Sequence, residues 1–213
     1  MNNPKIWHRR TIAEKTCEAL KKNGFKAKFV ATAQEAADII IAGVSADMTV
    51  GFGGSMTIKS LNIADPIKQK DAHLLEHGAK DLSKEEKLNI MRAQLSCDFF
   101  ISSSNAITLD GEIFNIDGTG NRVAALTFGP KKTTVVVGYN KIVKNLADAE
   151  TRLKMIASPM NTKRLNKKTP CATTGICSDC DSTDRICRIY TTLKRCPSQS
   201  DFTVIIVGEE LGY

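Results

Sequence analysis

The chain has 213 residues, of which 42% are hydrophobic, 6% aromatic and 25% charged. These fractions are typical of a globular protein that buries its own core, and they exclude disordered and collagen-like chains. No window reaches the roughly 18 apolar residues of a membrane span, and the N-terminus lacks the apolar region of a signal peptide. We therefore expect a cytoplasmic protein with one domain over residues 1–213.

The positive charge is concentrated in one part of the chain. The net charge is +7, and residues 1–130 carry 16 basic and 15 acidic groups, whereas residues 131–195 carry 14 and 5. A basic segment can attract nucleic acid, but the aromatic residues that could stack on bases there are few, namely Tyr139 and Tyr190. The sequence therefore disfavours a nucleic-acid partner.

The hydrophobic pattern predicts helices that alternate with short apolar strands. Helical spacing from Ile12 to Leu20 ends at Asn23-Gly24, which favours the left-handed backbone of a helix C-terminus. Thr32 with Glu35, and Ser83 with Glu86, have the capping-box spacing that begins a helix. A further helix is predicted over Asn145–Ile156, and strands over Phe25–Val30, Met48–Phe52, Phe99–Ser102, Val135–Val137 and Phe202–Val207.

This order of elements predicts an α/β protein in which helices cover both faces of a mainly parallel sheet. Ligands of such sheets bind at the carboxyl ends of the strands. The segment Ile107–Phe114 alternates around Asp110-Gly111, which favours a type I′ hairpin because both central residues of that turn have positive φ. We therefore predict an antiparallel hairpin inserted into the parallel fold.

A glycine-rich turn follows the second predicted strand and is the first candidate ligand site. Gly51, Gly53, Gly54 and Ser55 precede the helical Met56–Leu61, and such glycines allow backbone amides to approach an anion. The turn lacks the third glycine of a dinucleotide fingerprint and the lysine of a P-loop. Phosphate or carboxylate binding is one interpretation, and a tight turn without a ligand is the other.

The second candidate ligand site is a polar, turn-rich stretch that ends at Arg122. Arg122 could hold an anion through its planar guanidinium, while Asn105 and Asp117 could orient hydroxyl groups of a ligand. The alternative is that these polar residues satisfy only the turns of their own backbone. His73 and His77 would share a metal if they lay on a helix, but we favour a solvated pair.

Cysteines form the most specific pattern of the sequence. Cys171, Cys177, Cys180 and Cys187 lie within 17 residues as C-x5-C-x2-C-x6-C. In a chain without a secretory signal this density favours metal ligation over disulfides or free thiols, and an x2 pair can direct two sulfurs at one metal. The spacing matches neither a zinc ribbon nor a bacterial ferredoxin, so iron-sulfur and zinc both stay open. Cys196, nine residues beyond Cys187, could replace one of these ligands or be a bystander thiol.

Four segments resemble the LUD family, the lactate-utilisation protein domain. They are GFGGSMTIKSL (51–61), SNAITLDGEIFNIDGTGNRVAALTFGP (104–130), VVVGYNKIV (135–143) and PCATTGICSDCDSTDRIC (170–187). The resemblance implies the three-layer α/β/α fold of ribose-5-phosphate isomerase and CoA transferases, where a glycine-rich strand-to-helix turn contacts phosphate, CoA or an acyl group. It also implies a bacterial system that oxidises L-lactate to pyruvate alongside iron-sulfur subunits, but it establishes no catalytic residue.

Three functions follow as expectations. The first is a redox-associated subunit or enzyme of L-lactate or hydroxy-acid metabolism, with a 4Fe-4S cluster in a cysteine-rich segment (170–196) inserted before the last strand. Its glycine turn would face a small anionic metabolite, and iron-sulfur oxidoreductase subunits would be its partners. The second is a zinc-stabilised ligand-binding or isomerase-like protein for a sugar phosphate, CoA or nucleotide. The third is a non-catalytic assembly subunit.

Overall fold

Ten strands form two sheets in the computed structural model, which describes residues 3–213. The larger sheet has six strands, and every neighbouring pair in it is parallel. From edge to edge the strands are β1 (Lys26–Val30), β10 (Asp201–Val207), β7 (Lys132–Gly138), β4 (Phe99–Ser102), β2 (Thr49–Phe52) and β3 (His73–Leu75). The mainly parallel sheet that the sequence predicts is confirmed.

Helices connect the strands of the larger sheet and pack on both of its faces. They are α1 (Pro4–Lys22), α2 (Ala33–Ala42), α3 (Met56–Ser60), α4 (Ala64–Lys68), α5 (Lys84–Ala93), α6 (Asn121–Thr127), α7 (Leu146–Arg152), α8 (Ser158–Arg164) and α9 (Cys171–Thr174). A π-helix (Leu153–Ala157) joins α7 to α8, and two 3-10 turns cover Gln94–Ser96 and Tyr139–Lys141. Within residues 3–213 no helix combines the length and apolarity of a membrane span.

The two faces of the larger sheet belong to two separate hydrophobic cores. Phe99 and Ile101 of β4 pack with residues of α2, α3 and α4, whereas Phe100 packs with residues of α1 and α6. Strands that are buried on both faces have continuous apolar sequences, because neither side of the strand contacts water. The arrangement is the predicted α/β fold, in which the sheet lies between two helical layers.

Local sequence signals set most of the helix ends. Gly24, with φ of 87°, follows α1, and α1 begins earlier than the predicted Ile12. The side chains of Thr32 and Ser83 cap α2 and α5 as predicted. Asn145 caps α7, but the helical run continues through the π-helix and α8 beyond the predicted end at residue 156. Each of the five predicted strands is present, whereas β3 was not predicted.

The predicted antiparallel hairpin is part of a smaller sheet of four strands. Its order is β8 (Ile142–Val143), β5 (Ala106–Thr108), β6 (Ile113–Asp117) and β9 (Ile189–Leu193). β5 and β6 pair antiparallel, β5 and β8 pair parallel, and β6 and β9 pair antiparallel. The sequence did not predict β9, which lies inside the cysteine-rich segment and adds that segment to the sheet.

The type I′ turn predicted for this hairpin is wrong. Gly111 has a φ of 77°, but Asp110 does not have the positive φ that a type I′ turn requires. The backbone N–H of Thr108 donates to the oxygen of Glu112, which closes a three-residue loop with one left-handed glycine. The Asn23 amide donates to the carbonyl oxygens of Asp110 and Gly111 at 2.8 and 3.1 Å, so a contact with the end of α1 overrides the local dipeptide.

Candidate functional site

A cavity of about 260 Å³ lies at the carboxyl ends of the central strands. Its walls come from the turn after β2, the turn after β4 and the 3-10 turn after β7, and from β6 and α8 on the opposite side. The position matches the expectation for a parallel sheet, since the loops at this end of neighbouring strands converge.

Five of the seven predicted ligand-binding residues line this cavity. They are Gly54, Ser55, Asn105, Asp117 and Arg122, whereas Gly51 and Gly53 are not part of the wall. A Cβ on Gly51 would lie 3.1 Å from Phe100, and one on Gly53 would collide with the Ser102 hydroxyl. These two glycines are therefore required where β2 packs closely on β4.

Gly54 differs from its neighbours, because a Cβ there would point at the His77 ring, 3.3 Å from Nε2. His77 lines the cavity, and burial lowers the pKa of its imidazole. His73 and His77 do not lie on a helix, since His73 begins β3 and is exposed. His77 Nδ1 lies 3.1 Å from the Gln94 amide, which also donates to the carbonyl oxygens at the ends of β2 and β3.

The Arg122 side chain is largely buried, with 15% exposed, and the protein itself engages its donors. Its terminal nitrogens donate four hydrogen bonds of 2.7 to 3.1 Å, to the backbone oxygens of Ser103 and Ile116 and to the side-chain oxygens of Asn105 and Asn115. Its Nε lies 3.6 Å from Asp117 Oδ2, which also accepts from the backbone N–H of Val123 in α6. Arg122 thus contributes positive charge to the cavity while it ties the turn after β4 to β6.

Lys141 is a cavity residue to which the sequence analysis assigned no role. Its side chain is buried, with 4% of the residue exposed, and Nζ lies 2.8 Å from Thr57 Oγ1 and 3.1 Å from Ser103 Oγ. Burial, together with the nearby charges of Arg152 and Arg122, lowers its pKa from 10.5 to about 7. Its position just beyond the apolar strand β7 is the one sequence signal that could have indicated it.

The cysteine-rich segment packs on one face of the helical run that ends with α8. Three residues spaced by four along that run each contact a different cysteine: Lys154 O accepts from Cys177 N (3.1 Å), Ser158 Oγ lies 3.2 Å from Cys187 Sγ, and Thr162 Oγ1 lies 3.3 Å from Cys171 Sγ. Residues at this spacing share a helix face. One face of the run therefore gathers three of the four predicted ligands.

Arg185 brings the fourth cysteine to the same place. Its guanidinium donates to the carbonyl oxygens of Cys180 (2.7 Å) and Cys187 (2.8 Å) and to Asp179 Oδ1 (2.6 Å). Asp179 has a φ of 49°, and its backbone N–H donates to Cys177 Sγ at 3.4 Å. Such N–H to sulfur bonds stabilise thiolate ligands in metal and cluster sites.

The sulfurs share a surface but not a coordination sphere in this structure. Across the described part of the chain, all seven cysteines are free thiols, and no three metal-ligating side chains lie close enough to hold one ion. Burial, with the nearby Cys177 and Cys171, raises the pKa of the Cys187 thiol. Four sulfur donors of this kind suit zinc or an iron-sulfur cluster.

The cysteine-rich segment also forms part of the cavity wall. Ile186 and Cys187 line the cavity together with Gly54 and Asp117. Asp117 at the end of β6 pairs with Ile189 at the start of β9, so the segment is held there by the smaller sheet. The two regions that the sequence presented as separate candidates are therefore adjacent in space.

The parallel sheet between helical layers defines an α/β protein, with a charged cavity at its strand ends and four sulfurs in the adjoining segment. The model of the LUD domain matches residues 13–207, and the chain belongs to this family. Among curated proteins, none matches the sequence.

One solved structure supports the fold over nearly the whole chain. A DUF162 family protein from Deinococcus radiodurans, solved at 1.70 Å resolution, superimposes with a TM-score of 0.53 and 16% identity over 94% of this chain and 98% of that one. Ribose 5-phosphate isomerase from Plasmodium falciparum is 17% identical over 53% of each chain, with a TM-score of 0.33. At these identities the first likeness supports the α/β fold alone.

Proposed function

We propose that this protein is a redox-associated member of L-lactate or related hydroxy-acid metabolism that binds a small anionic metabolite beside a cysteine-ligated 4Fe-4S cluster. The observation that carries the proposal is the shared wall, since Cys187 and the Gly54-Ser55 turn line the same cavity. A ligand in that cavity would therefore lie next to the sulfur-bearing segment. Membership in the LUD family supports the metabolic context.

The charge of the cavity supports an anionic ligand. Arg122, Lys141 and Arg164 contribute positive groups to its lining, whereas Asp117 is the acidic residue among the residues that line it. The volume of about 260 Å³ lies below the roughly 300 to 1,000 Å³ of pockets for drug-sized ligands. A small metabolite therefore fits the cavity better than CoA or a nucleotide.

The residues around the sulfurs are suited to holding thiolates. In the free thiol, Cys187 donates to Ser158 Oγ; if Cys187 were a thiolate, the Ser158 hydroxyl would donate to its sulfur instead. The backbone N–H of Asp179 already donates to Cys177 Sγ. Arg185 holds the backbone of Cys180 and Cys187 in place through their carbonyl oxygens, while its charge pairs with Asp179. When bound, a 4Fe-4S cluster supplies one-electron transfer beside the ligand cavity.

The test is an absorption spectrum of protein purified without oxygen, with iron, sulfide and zinc determined on the same sample. We expect a broad band near ~400 nm and about four iron and four sulfide per chain. Cys177→Ser and Cys180→Ser should lose both, whereas Cys196→Ser is the matched control and should keep them. A colourless protein with about one zinc would overturn the redox proposal and favour a zinc-stabilised ligand-binding protein.

A further inference from the structure

We propose that Lys141 is the anion-binding group of the cavity, and that an oxyanion of the ligand pairs with its Nζ and with the Ser103 hydroxyl. The inference rests on the proposed function, because it concerns the same cavity. Lys141 is buried in the cavity wall, and it forms no ion pair with a carboxylate of residues 3–213. A buried ammonium in a protein is normally paired, so this one lacks its counterion.

The neighbouring cations do not compete for the same ligand. The terminal nitrogens of Arg122 donate to four oxygens of the protein. Arg152 donates to the carbonyl oxygens of Asn140 at 3.1 Å and Asn105 at 2.8 Å. Both guanidiniums add positive potential around Lys141. Lys141 is therefore the buried cation that is left to form an ion pair with a ligand anion.

The hydroxyl groups around Nζ complete the site. Thr57 Oγ1 and Ser103 Oγ hold Nζ at 2.8 and 3.1 Å. The Ser103 hydroxyl makes only long donor contacts, 3.3 Å each to Thr57 Oγ1 and to the carbonyl oxygen of Ser104. It can rotate toward a ligand oxygen at little cost, so Lys141 and Ser103 together offer two donors to one carboxylate or phosphate.

Binding at this site couples to proton uptake. The pKa of Lys141, lowered to about 7 by burial and by the charges of Arg152 and Arg122, rises when an anion pairs with Nζ. Of the other charged or titratable groups around the cavity, the Arg122 and Arg152 guanidiniums stay protonated above pH 7, and Arg164 is a further arginine of the lining. The His77 imidazole, whose pKa burial lowers, and the Cys187 thiol, whose pKa burial raises, stay neutral near pH 7, and Asp117 pairs with Arg122. Affinity should then fall about tenfold for each pH unit above 7.

The experiment is isothermal titration calorimetry of the full chain with L-lactate, pyruvate and inorganic phosphate as separate probes. Titrations from about pH 7 to about pH 9, in two buffers of different ionisation enthalpy, measure the protons taken up on binding. With lactate or pyruvate, whose carboxylates do not titrate over this range, we expect uptake to rise from roughly half a proton to nearly one. Phosphate itself titrates near neutral pH, so its affinity is compared but its proton uptake is not used. Tighter binding of lactate or pyruvate assigns a carboxylate ligand, and tighter binding of phosphate assigns a phosphate ligand.

Substitutions of two lysines test whether Lys141 binds the anion separately from whether the cavity binds an anion at all. Lys141→Met should weaken binding of the same probe at least about tenfold and abolish its dependence on pH, because the counter-cation is gone. Lys144→Met, which removes an exposed lysine three residues away, is the control and should bind like the parent. Unchanged affinity and proton uptake in Lys141→Met would overturn the inference but leave the cavity. If the parent binds none of the probes, the anion cavity itself is wrong.

Proton uptake is measured on the unmodified chain, so the result does not depend on the folding of any variant. Binding of lactate or pyruvate by the parent without uptake of protons above pH 7 would overturn the role of Lys141 by itself. If phosphate alone binds, a pH-independent affinity after correction for the ionisation of phosphate would overturn it.

Discussion

The larger sheet and the cysteine-rich segment are stabilised in different ways. Val135, Val136 and Val137 of β7 are each 0% exposed and pack into cores on both faces of the sheet. In residues 170–196, the buried hydrophobic side chains are those of Cys171 and Cys187. Apolar burial thus stabilises the sheet, whereas the buried hydrophobic side chains of the segment are two of its four candidate metal-ligating cysteines. Outside these two side chains, the segment is held by the pairing of β9 with β6 and by the hydrogen bonds of Arg185.

The largest expected effect comes from removing the proposed metal or cluster. After chelation, the segment should lose its common anchor and trypsin should cut completely after Lys167, Lys168, Arg185 or Arg188, while the larger sheet resists cleavage. Mass spectrometry of the fragments over time measures this. Equal cleavage rates before and after chelation would show that the sulfurs do not organise the segment.

A substitution in the sheet core should have the next largest effect. Phe100 is 0% exposed, and Phe100→Ala should lower the free energy of unfolding by about 3–5 kcal/mol, because it leaves a cavity between α1 and β4. Ile176 beside Cys177 is 52% exposed, and Ile176→Ala should change it by less than about 0.5 kcal/mol. Urea unfolding of both variants measures the difference, and similar losses would contradict the contrast between the two regions.

The smallest effect is a gain in stability at the cavity. Lys141→Met should raise the free energy of unfolding by roughly 1–4 kcal/mol near pH 6, since it removes a buried charge without a counterion. The unfolded chain binds the Lys141 proton up to about pH 10.5 and the folded chain only up to about 7. The parent should therefore become more stable as pH rises between these values, because the unfolded state binds more protons there.

The stability gain of Lys141→Met over the parent should shrink as the pH rises from about 7 to about 10.5. Urea unfolding of both proteins at about pH 6, 8 and 9.5 measures this gain. A difference between parent and Lys141→Met that is constant across these values would show that the lysine titrates normally in the folded protein.

The sequence predicted the larger sheet well because its signals are local. Apolar runs such as Phe202–Val207 mark strands that are buried on both faces, and Ser83 with Glu86 marks a helix start. β9 was missed because its sequence, IYTTL, is only half-buried and its partner β6 is distant in the chain. The turn at Asp110-Gly111 was wrong for a related reason, since Asn23 of another element fixes its geometry.

The candidate site was predictable in its parts but not in its assembly. Glycine spacing and cysteine spacing are visible in the sequence, yet the common wall formed by Gly54 and Cys187 arises only when β9 joins the smaller sheet. Lys141 was missed because the residues next to it in the sequence do not reveal that it will be buried without a carboxylate partner. Arg122 was predicted as an anion-binding residue because the sequence does not reveal that oxygens of the folded protein occupy its donors.

The pairing of β9 with β6 also limits how the protein can be shortened. β9 covers β6 over five residue pairs, from Ile113 with Leu193 to Asp117 with Ile189. A chain from which the cysteine-rich segment is deleted would present β6 as an open edge, with a row of unpaired amides and carbonyls. Such an edge recruits strands from other molecules, so the shortened protein should self-associate rather than yield a smaller stable domain.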